Sequence, residues 1–390
     1  MKNLWLVPLE KIPTRYTQEW YYHVPNMLLE KSIAKNINVD LVEFEDYDLN
    51  SEKITIVNIA GELPSQKASK GAFINFASTN IWKASQAQKI AIAFNNNWVK
   101  PGDKFYFTDS WNTTILQVRY MSDLMAIPVE IHSQWHAGNH DPSDALAQRI
   151  VNKDWIENTE AALFFAIDKN YFTTDFYWAM FYRNVLGSSV RKEVEKKIVR
   201  CGYPNSYLID KLDQYQHTEK ERIVLFPHRI CAEKQTDIFK DLEKEFKDLP
   251  DYKDVKFIVC QEQNLNKQEY HELLGRSMVV FSAALQETYG IAQTEAIFAG
   301  SYPLSPNRLS YAEMYTDHYR YPSEWTENFD TYTNNKNNLI KLICSTIDTM
   351  ENPSLRLESK ANLEYQKQYL INNYIGDNDI FKQLFKVCYE

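Results

Sequence analysis

The stretch FSAALQETYGIAQTEAIFAGSYPL, residues 281–304, decides how the rest of the chain is read. It leaves an apolar run (278–283, MVVFSA), turns at a glycine, continues with helical patterning and returns to an apolar run (301–304, SYPL). That is strand, turn, helix, strand, the repeating half of a parallel α/β sheet. Glu287 and Glu295 stand eight residues apart with Gly290 between them. A helix that opens at a glycine offers the amides of Tyr289, Gly290 and Ile291 as donors, and a phosphate fits there. An acid in the first turns of a helix also complements the macrodipole, which accounts for Glu295 by itself but not for Glu287 at a strand end.

Upstream, FPHRICAEKQ (226–235) puts Arg229 and Lys234 just beyond another apolar run, IVLFP (223–227). Either cation alone is a solvated surface charge. Placed at strand ends of the same sheet as the Glu–Gly–Glu turn, they form a diphosphate clamp, in which the guanidinium forks two oxygens and the ammonium acts as a point charge.

Outward from this centre the alternation continues. KFIVC (256–260) completes a second-half series of strands separated by helical segments. In the first half, LWLVP (4–8), AFINFA (72–77), KFYFTD (104–109), PVEIHSQ (128–134) and AALFFAI (161–167) read as strands. Ile81, Trp82, Ala84, Ala87, Ile90, Ala91 and Phe94 recur at helical spacing, and a further helix is expected over 112–126. The polar, charge-dense KLDQYQHTEKER (211–222) reads as a linker, and everything after 330 as helical. The expectation is an α/β chain with domains at 1–211 and 212–355 and a helical tail at 356–390.

Composition bounds the function. The net charge of −9 argues against broad, sequence-independent binding to nucleic acid, where phosphate neutralisation supplies the affinity. No apolar run is long enough for a transmembrane helix, no signal-peptide layout opens the chain, and the five cysteines (Cys201, Cys231, Cys260, Cys344, Cys388) lack metal-type spacing. A reduced, cytoplasmic setting without membrane partners follows; the oligomeric state does not.

ETYGIAQTEAIFAG resembles the E-x7-E signature of family 4-type retaining glycosyltransferases, and Arg229-x4-Lys234 their diphosphate-binding pair. Within that group, VLFPHRI with VVFSAALQETYGIAQTEAIFAGSYPLSP is most similar to the tRNA-queuosine mannosyltransferases, over residues 222–310. NIWKASQAQKI and WHAGNHDPSDAL in the first half loosely resemble phage-encoded glycosyltransferases that decorate modified bases. The resemblance implies a GT-B fold, two Rossmann-like domains facing a cleft, with C-terminal helices crossing back to the N-terminal domain. It implies a nucleotide-diphosphate sugar as co-substrate, held by the second domain, and no metal or other cofactor. Arg229 and Lys234 would hold the diphosphate, the amides of Thr288, Tyr289, Gly290 and Ile291 would cradle it, Glu295 would bind the ribose and Glu287 would face the transferred sugar. A nucleic-acid acceptor follows from the resemblance alone, modified phage DNA ahead of tRNA, and the setting is the host cytoplasm if the chain is phage-encoded.

One departure stands out. Family 4 enzymes carry a glycine-rich loop near the N-terminus, whereas VPLEKIPTRYTQEW (7–20) has no glycine. Thr14, Arg15 and Thr17 are therefore candidates either to replace backbone donors or to meet the acceptor. His136 is a candidate for the donor sugar, Asp141 for taking the acceptor's proton, and Asp168 for the acceptor side. His132, His136 and His140 invite a zinc reading, but Gly138 and Pro142 break the helix that would align them; the plainer alternative is a polar loop in which Asp141 or Ser143 caps a helix. The rivals to a glycosyltransferase on nucleic acid are transfer to a glycan, lipid or protein, a sugar-nucleotide epimerase or phosphorylase on the same fold, and a non-catalytic nucleotide-sugar binder.

Overall fold

A computed structural model describes residues 2–12, 15–63, 75–136, 138–187 and 192–386. The chain divides into two compact units: one runs to Pro204 and resumes at Gly376, and the other is Asn205–Ile375.

Among the described residues, the first unit is built on β1 (Asn3–Val7), β2 (Val39–Glu43), β3 (Ile54–Asn58), β4 (Lys104–Phe107), β5 (Glu130–Gln134), β6 (Lys169–Phe172) and β7 (Ile198–Arg200). They form one sheet in the order β2-β3-β1-β4-β5-β6-β7, every pairing parallel. Both β1 and β4 are buried along their whole length, as expected for strands covered by helices on both faces. Trp5, Phe94, Phe105, Phe107, Trp135 and Phe172 lie in one apolar cluster.

Two of the expected strands are helical. Asn75 caps the helix Phe76–Asn95, its side chain accepting from the amides of Ala77 and Ser78 at 3.1 and 3.2 Å, so the expected strand over 72–77 fails at 75–77; residues 72–74 lie outside the described residues. AALFFAI falls almost wholly in the helix Asp154–Ala166, whose buried residues Ile156, Glu160, Leu163 and Phe164 follow helical spacing. Apolar runs of this length fit either element, and here the periodic residues upstream make the choice.

The second unit is built on β8 (Glu221–Phe226), β9 (Lys256–Val259), β10 (Ser277–Phe281), β11 (Tyr302–Pro306) and β12 (Arg320–Tyr321), in the order β12-β11-β10-β8-β9, again all parallel. The stretch expected as a linker belongs inside this unit: Leu208 and Leu212 of the helix Tyr207–Asp213 are buried in its core, and Glu221 already starts β8. The boundary falls at 204/205 rather than 211/212.

The expected tail, 356–390, divides between the units. The helix Pro353–Tyr374 packs on the second, where Gln366 donates to the Met314 carbonyl at 2.8 Å and accepts from the Thr316 amide at 2.8 Å. The helix Asp377–Phe385 packs on the first: His23 Nε2 lies 2.7 Å from Asp377, and Lys104 donates to the Gln383 carbonyl at 2.7 Å. No helix among the described residues is long and apolar enough to cross a membrane.

Candidate functional site

Strands β8 and β10 are neighbours and parallel, so the segments leaving them at Phe226 and Phe281 emerge side by side at the carboxyl edge of the second sheet. In doubly wound sheets this is where ligands bind. The two segments are tied together. The Leu285 amide donates to the Glu233 carbonyl at 2.8 Å, and Gln235, in the left-handed region at φ 53°, donates its side chain to the carbonyls of Ala283 (2.6 Å) and Thr326 (2.7 Å).

That tie brings Lys234 to Glu287. The buried ammonium donates to Glu287 Oε1 at 2.8 Å and to the Gln286 carbonyl. Arg229 is the more open cation, its side chain 38% exposed and its Nη2 3.2 Å from Glu233 Oε1. His228 was missed by the sequence reading: it is buried, with Nδ1 3.9 Å from Glu287 Oε1. Burial first, then the charges of Lys234 and Arg229, push its pKa well below the ordinary imidazole value, so it stays neutral.

Gly290 has φ +81° and forms the N-cap of the helix Ile291–Phe298. A Cβ there would lie 2.5 Å from Tyr311 Cε1. Alanine at 290 therefore meets both an unfavourable backbone region and a ring that is itself held by Ser282 at 3.1 Å. Gly290→Ala is expected to destabilise the protein by about 1–3 kcal/mol, measured by urea unfolding; an unchanged midpoint would show that the ring gives way freely. Thr288 is buried, and Tyr289 buries its side chain and donates its hydroxyl to the Tyr374 carbonyl at 3.1 Å, so what Tyr289 can offer a ligand is backbone.

Glu295, a little over one turn into the helix, is 3% exposed. Its Oε1 accepts from Lys267 at 2.7 Å and its Oε2 from the Tyr270 hydroxyl at 2.8 Å. Burial opposes the charge, but Lys267 and His271 more than offset it and bring the carboxyl to about 2. Neither Lys267 nor Tyr270 stood out in the sequence.

In the first unit His136 follows β5 at the carboxyl edge. Its Nε2 donates to the Thr108 carbonyl at 2.8 Å, and its Nδ1 lies 3.1 Å from the Tyr203 hydroxyl and 3.2 Å from the Tyr16 hydroxyl. Burial lowers its pKa, with Asp109 opposing, which agrees with a neutral ring in that tautomer. Asp109, at the end of β4, pairs with Lys83 at 3.0 Å and takes the Trp111 amide at 3.0 Å. The sequence reading passed over Asp109.

The other first-unit candidates divide. Arg15 directly precedes the helix Tyr16–Ala34, and Thr17 is buried within it. Thr14 lies outside the described residues. Asp141 accepts from the Ser143 amide at 3.0 Å, but the cap of the next helix is Asp144, which accepts from Leu146 at 2.8 Å. Asp168 sits before β6, at the amino edge of the sheet, with Arg119 at 2.6 Å and the Ile131 amide at 2.8 Å; the expected strand over 161–167 had put it at the carboxyl edge. His132 and His140 face separate partners, Tyr171 (2.7 Å) and Glu160 (2.8 Å). No group of three metal-type ligands occurs among the described residues.

No protein-family model matches the chain. It is 27% identical over 153 residues to the tRNA-queuosine alpha-mannosyltransferase of Drosophila melanogaster, an alignment spanning 37% of this chain and only 38% of that protein. Among solved structures, an alpha,alpha-trehalose-phosphate synthase (UDP-forming) from Burkholderia vietnamiensis aligns over 99% of both chains at TM-score 0.58 and 12% identity. The sucrose-phosphate synthase of Thermosynechococcus elongatus gives 0.56 at 12% identity, covering 99% of this chain and 100% of its own. HepE of Anabaena in complex with UDP-glucose gives 0.53 at 11% identity, covering 99% and 100%. With two all-parallel α/β sheets and full-length likeness to these glycosyltransferases, the chain has the GT-B fold.

Proposed function

We propose that the chain is a retaining glycosyltransferase that moves a sugar from a nucleotide-diphosphate donor to a hydroxyl. The observation that carries this is the tie of Lys234 to Glu287 where the segments leaving β8 and β10 run side by side, with Arg229 on the first segment and the Gly290 helix N-terminus on the second. As the sugar leaves, negative charge grows on the diphosphate. Fixed cations and amides lower that barrier because they need not reorient during the reaction. Glu287, released from Lys234 when phosphate takes its place, turns to the hydroxyls of the sugar. Glu295, a little over one helical turn from the phosphate cradle, takes the ribose. His136, neutral and fixed in one tautomer, serves the donor sugar, and Arg15, Thr17 and Asp109 serve the acceptor. Asp168, at the opposite edge of its sheet, drops out.

The acceptor we propose is a hydroxyl on a modified nucleobase. The Drosophila relative, a tRNA-queuosine mannosyltransferase by name, supports tRNA ahead of phage-type DNA, reversing the order that the sequence resemblance favoured. With a net charge of −9, contact with nucleic acid must be local. We place that contact at Lys11, Arg15 and Lys83, two of which have other commitments: Lys83 pairs with Asp109 at 3.0 Å, and Lys11 lies 4.4 Å from the Tyr22 ring centroid.

The test is transfer from radiolabelled UDP- and GDP-sugars to queuosine tRNA and to hydroxymethylcytosine DNA, at low and moderate salt, with and without excess EDTA. Transfer to one of them is expected, falling with salt and persisting in EDTA, because the diphosphate charge is met by Arg229, Lys234 and the helix N-terminus. Transfer only to free sugars, lipids or proteins would remove the nucleic-acid acceptor and leave the donor half. Activity lost in EDTA and restored by manganese would remove the metal-free clamp.

A further inference from the structure

Glu295 is held from one side by a single helix. Lys267–Arg276 begins with a capping box, Asn266 accepting from the Glu269 amide at 2.9 Å and Glu269 from the Asn266 amide at 2.7 Å, which fixes its first turn. Residues three and four apart share a helix face, so Lys267, Tyr270 and His271 all turn toward the same carboxylate. The oxygens are divided between them. Oε1 takes Lys267 at 2.7 Å and Oε2 takes Tyr270 at 2.8 Å, while His271 Nε2 stands off at 3.8 Å and is buried with no hydrogen-bond partner. An ionised carboxylate has about four acceptor positions, two on each oxygen. One on each oxygen is filled here, and one on each remains. Two adjacent acceptors on a fixed carboxylate match a vicinal diol. The Tyr270 phenol stays protonated, pushed up by burial and by Glu295, and its ring lies 5.1 Å from the Lys267 ammonium.

We propose that Tyr270, supported by Lys267, is the positioning residue that holds Glu295 for a ribose diol and so makes the site select ribonucleoside over 2′-deoxyribonucleoside diphosphates. This rests on the donor reading above, in which Glu295 meets the ribose. Tyr270 acts through Glu295. Without its hydroxyl the carboxylate keeps its charge but loses the contact that fixes Oε2, so one acceptor of the pair is no longer aimed.

The experiment is calorimetric titration of the full chain with UDP, 2′-deoxy-UDP, GDP and 2′-deoxy-GDP, in the wild type, Tyr270→Phe and Glu295→Ala. The wild type is expected to bind the ribose form of its preferred nucleotide about tenfold or more tighter than the deoxy form, the cost of leaving a charged acceptor unmatched. Phenylalanine at 270 keeps the ring, so the deoxy form should bind as in the wild type while the ribose form weakens and the preference falls to about threefold or less. Alanine at 295 should abolish the preference. A Tyr270→Phe variant that weakens both forms equally, or a wild type indifferent to the 2′-hydroxyl, overturns the proposal while leaving the donor reading standing. If neither UDP nor GDP binds the wild type, the donor reading fails and takes this inference with it.

Discussion

Alanine at position 234 is expected to lower both nucleotide-diphosphate affinity and sugar transfer by about ten- to a hundredfold, the value of one charge-assisted hydrogen bond at about 1.5–3 kcal/mol. Lys234 is buried, so its charge meets little solvent screening and its loss cannot be made good by a mobile neighbour. Arg229→Ala should act in the same direction but less strongly, since its side chain is 38% exposed. Calorimetry with UDP and GDP measures the binding part and initial transfer rates the rest; urea unfolding checks that each variant is folded. Unchanged affinity in both variants would remove the clamp.

The second large effect is expected at Glu287, and its two halves have opposite signs. Glutamine there should cut transfer by about a hundredfold or more, because a carboxylate aimed at the sugar is replaced by an uncharged group. Nucleotide affinity should rise, by about threefold to tenfold. Lys234 is engaged by Glu287 Oε1 at 2.8 Å and by the Gln286 carbonyl, so an incoming phosphate must displace a charged acceptor. A neutral amide competes less well and does not repel the phosphate. Weaker nucleotide binding in Glu287→Gln would show that the Lys234–Glu287 pair orders the site rather than competing for it.

The strand–turn–helix of 281–304 was legible because its signals are local: an apolar run, a glycine that tolerates φ +81° and a periodic helix. The pairing of Lys234 with Glu287 was not, since 53 positions separate them and only the β8–β10 ladder brings their loops together. The same limit hid Lys267 and Tyr270, which look like an ordinary polar helix face until Glu295 is placed beside them. Asp109 was hidden within a strand pattern whose end could not be fixed to the residue. Asp168 shows the converse. One misassigned element, AALFFAI, moved an acid from one edge of the sheet to the other and gave it a role that its partners Arg119 and Ile131 now occupy.

The division of the tail has a consequence for how the chain is made. Gly376 donates its amide to the Tyr203 carbonyl at 2.7 Å, and a Cβ at 376 would lie 2.4 Å from the Cys201 carbonyl oxygen. The two points where the first unit breaks off and resumes therefore touch, and residues 205–375 are an insertion between them. During synthesis the strands β1–β7 leave the ribosome well before the helix that completes their unit. Until Asp377–Phe385 arrives, His23 lacks Asp377 and Lys104 lacks the Gln383 carbonyl, keeping only Glu130 at 3.6 Å on the neighbouring strand. The inserted unit carries its own core and can close while the first unit waits. The unit translated first is thus the one finished last.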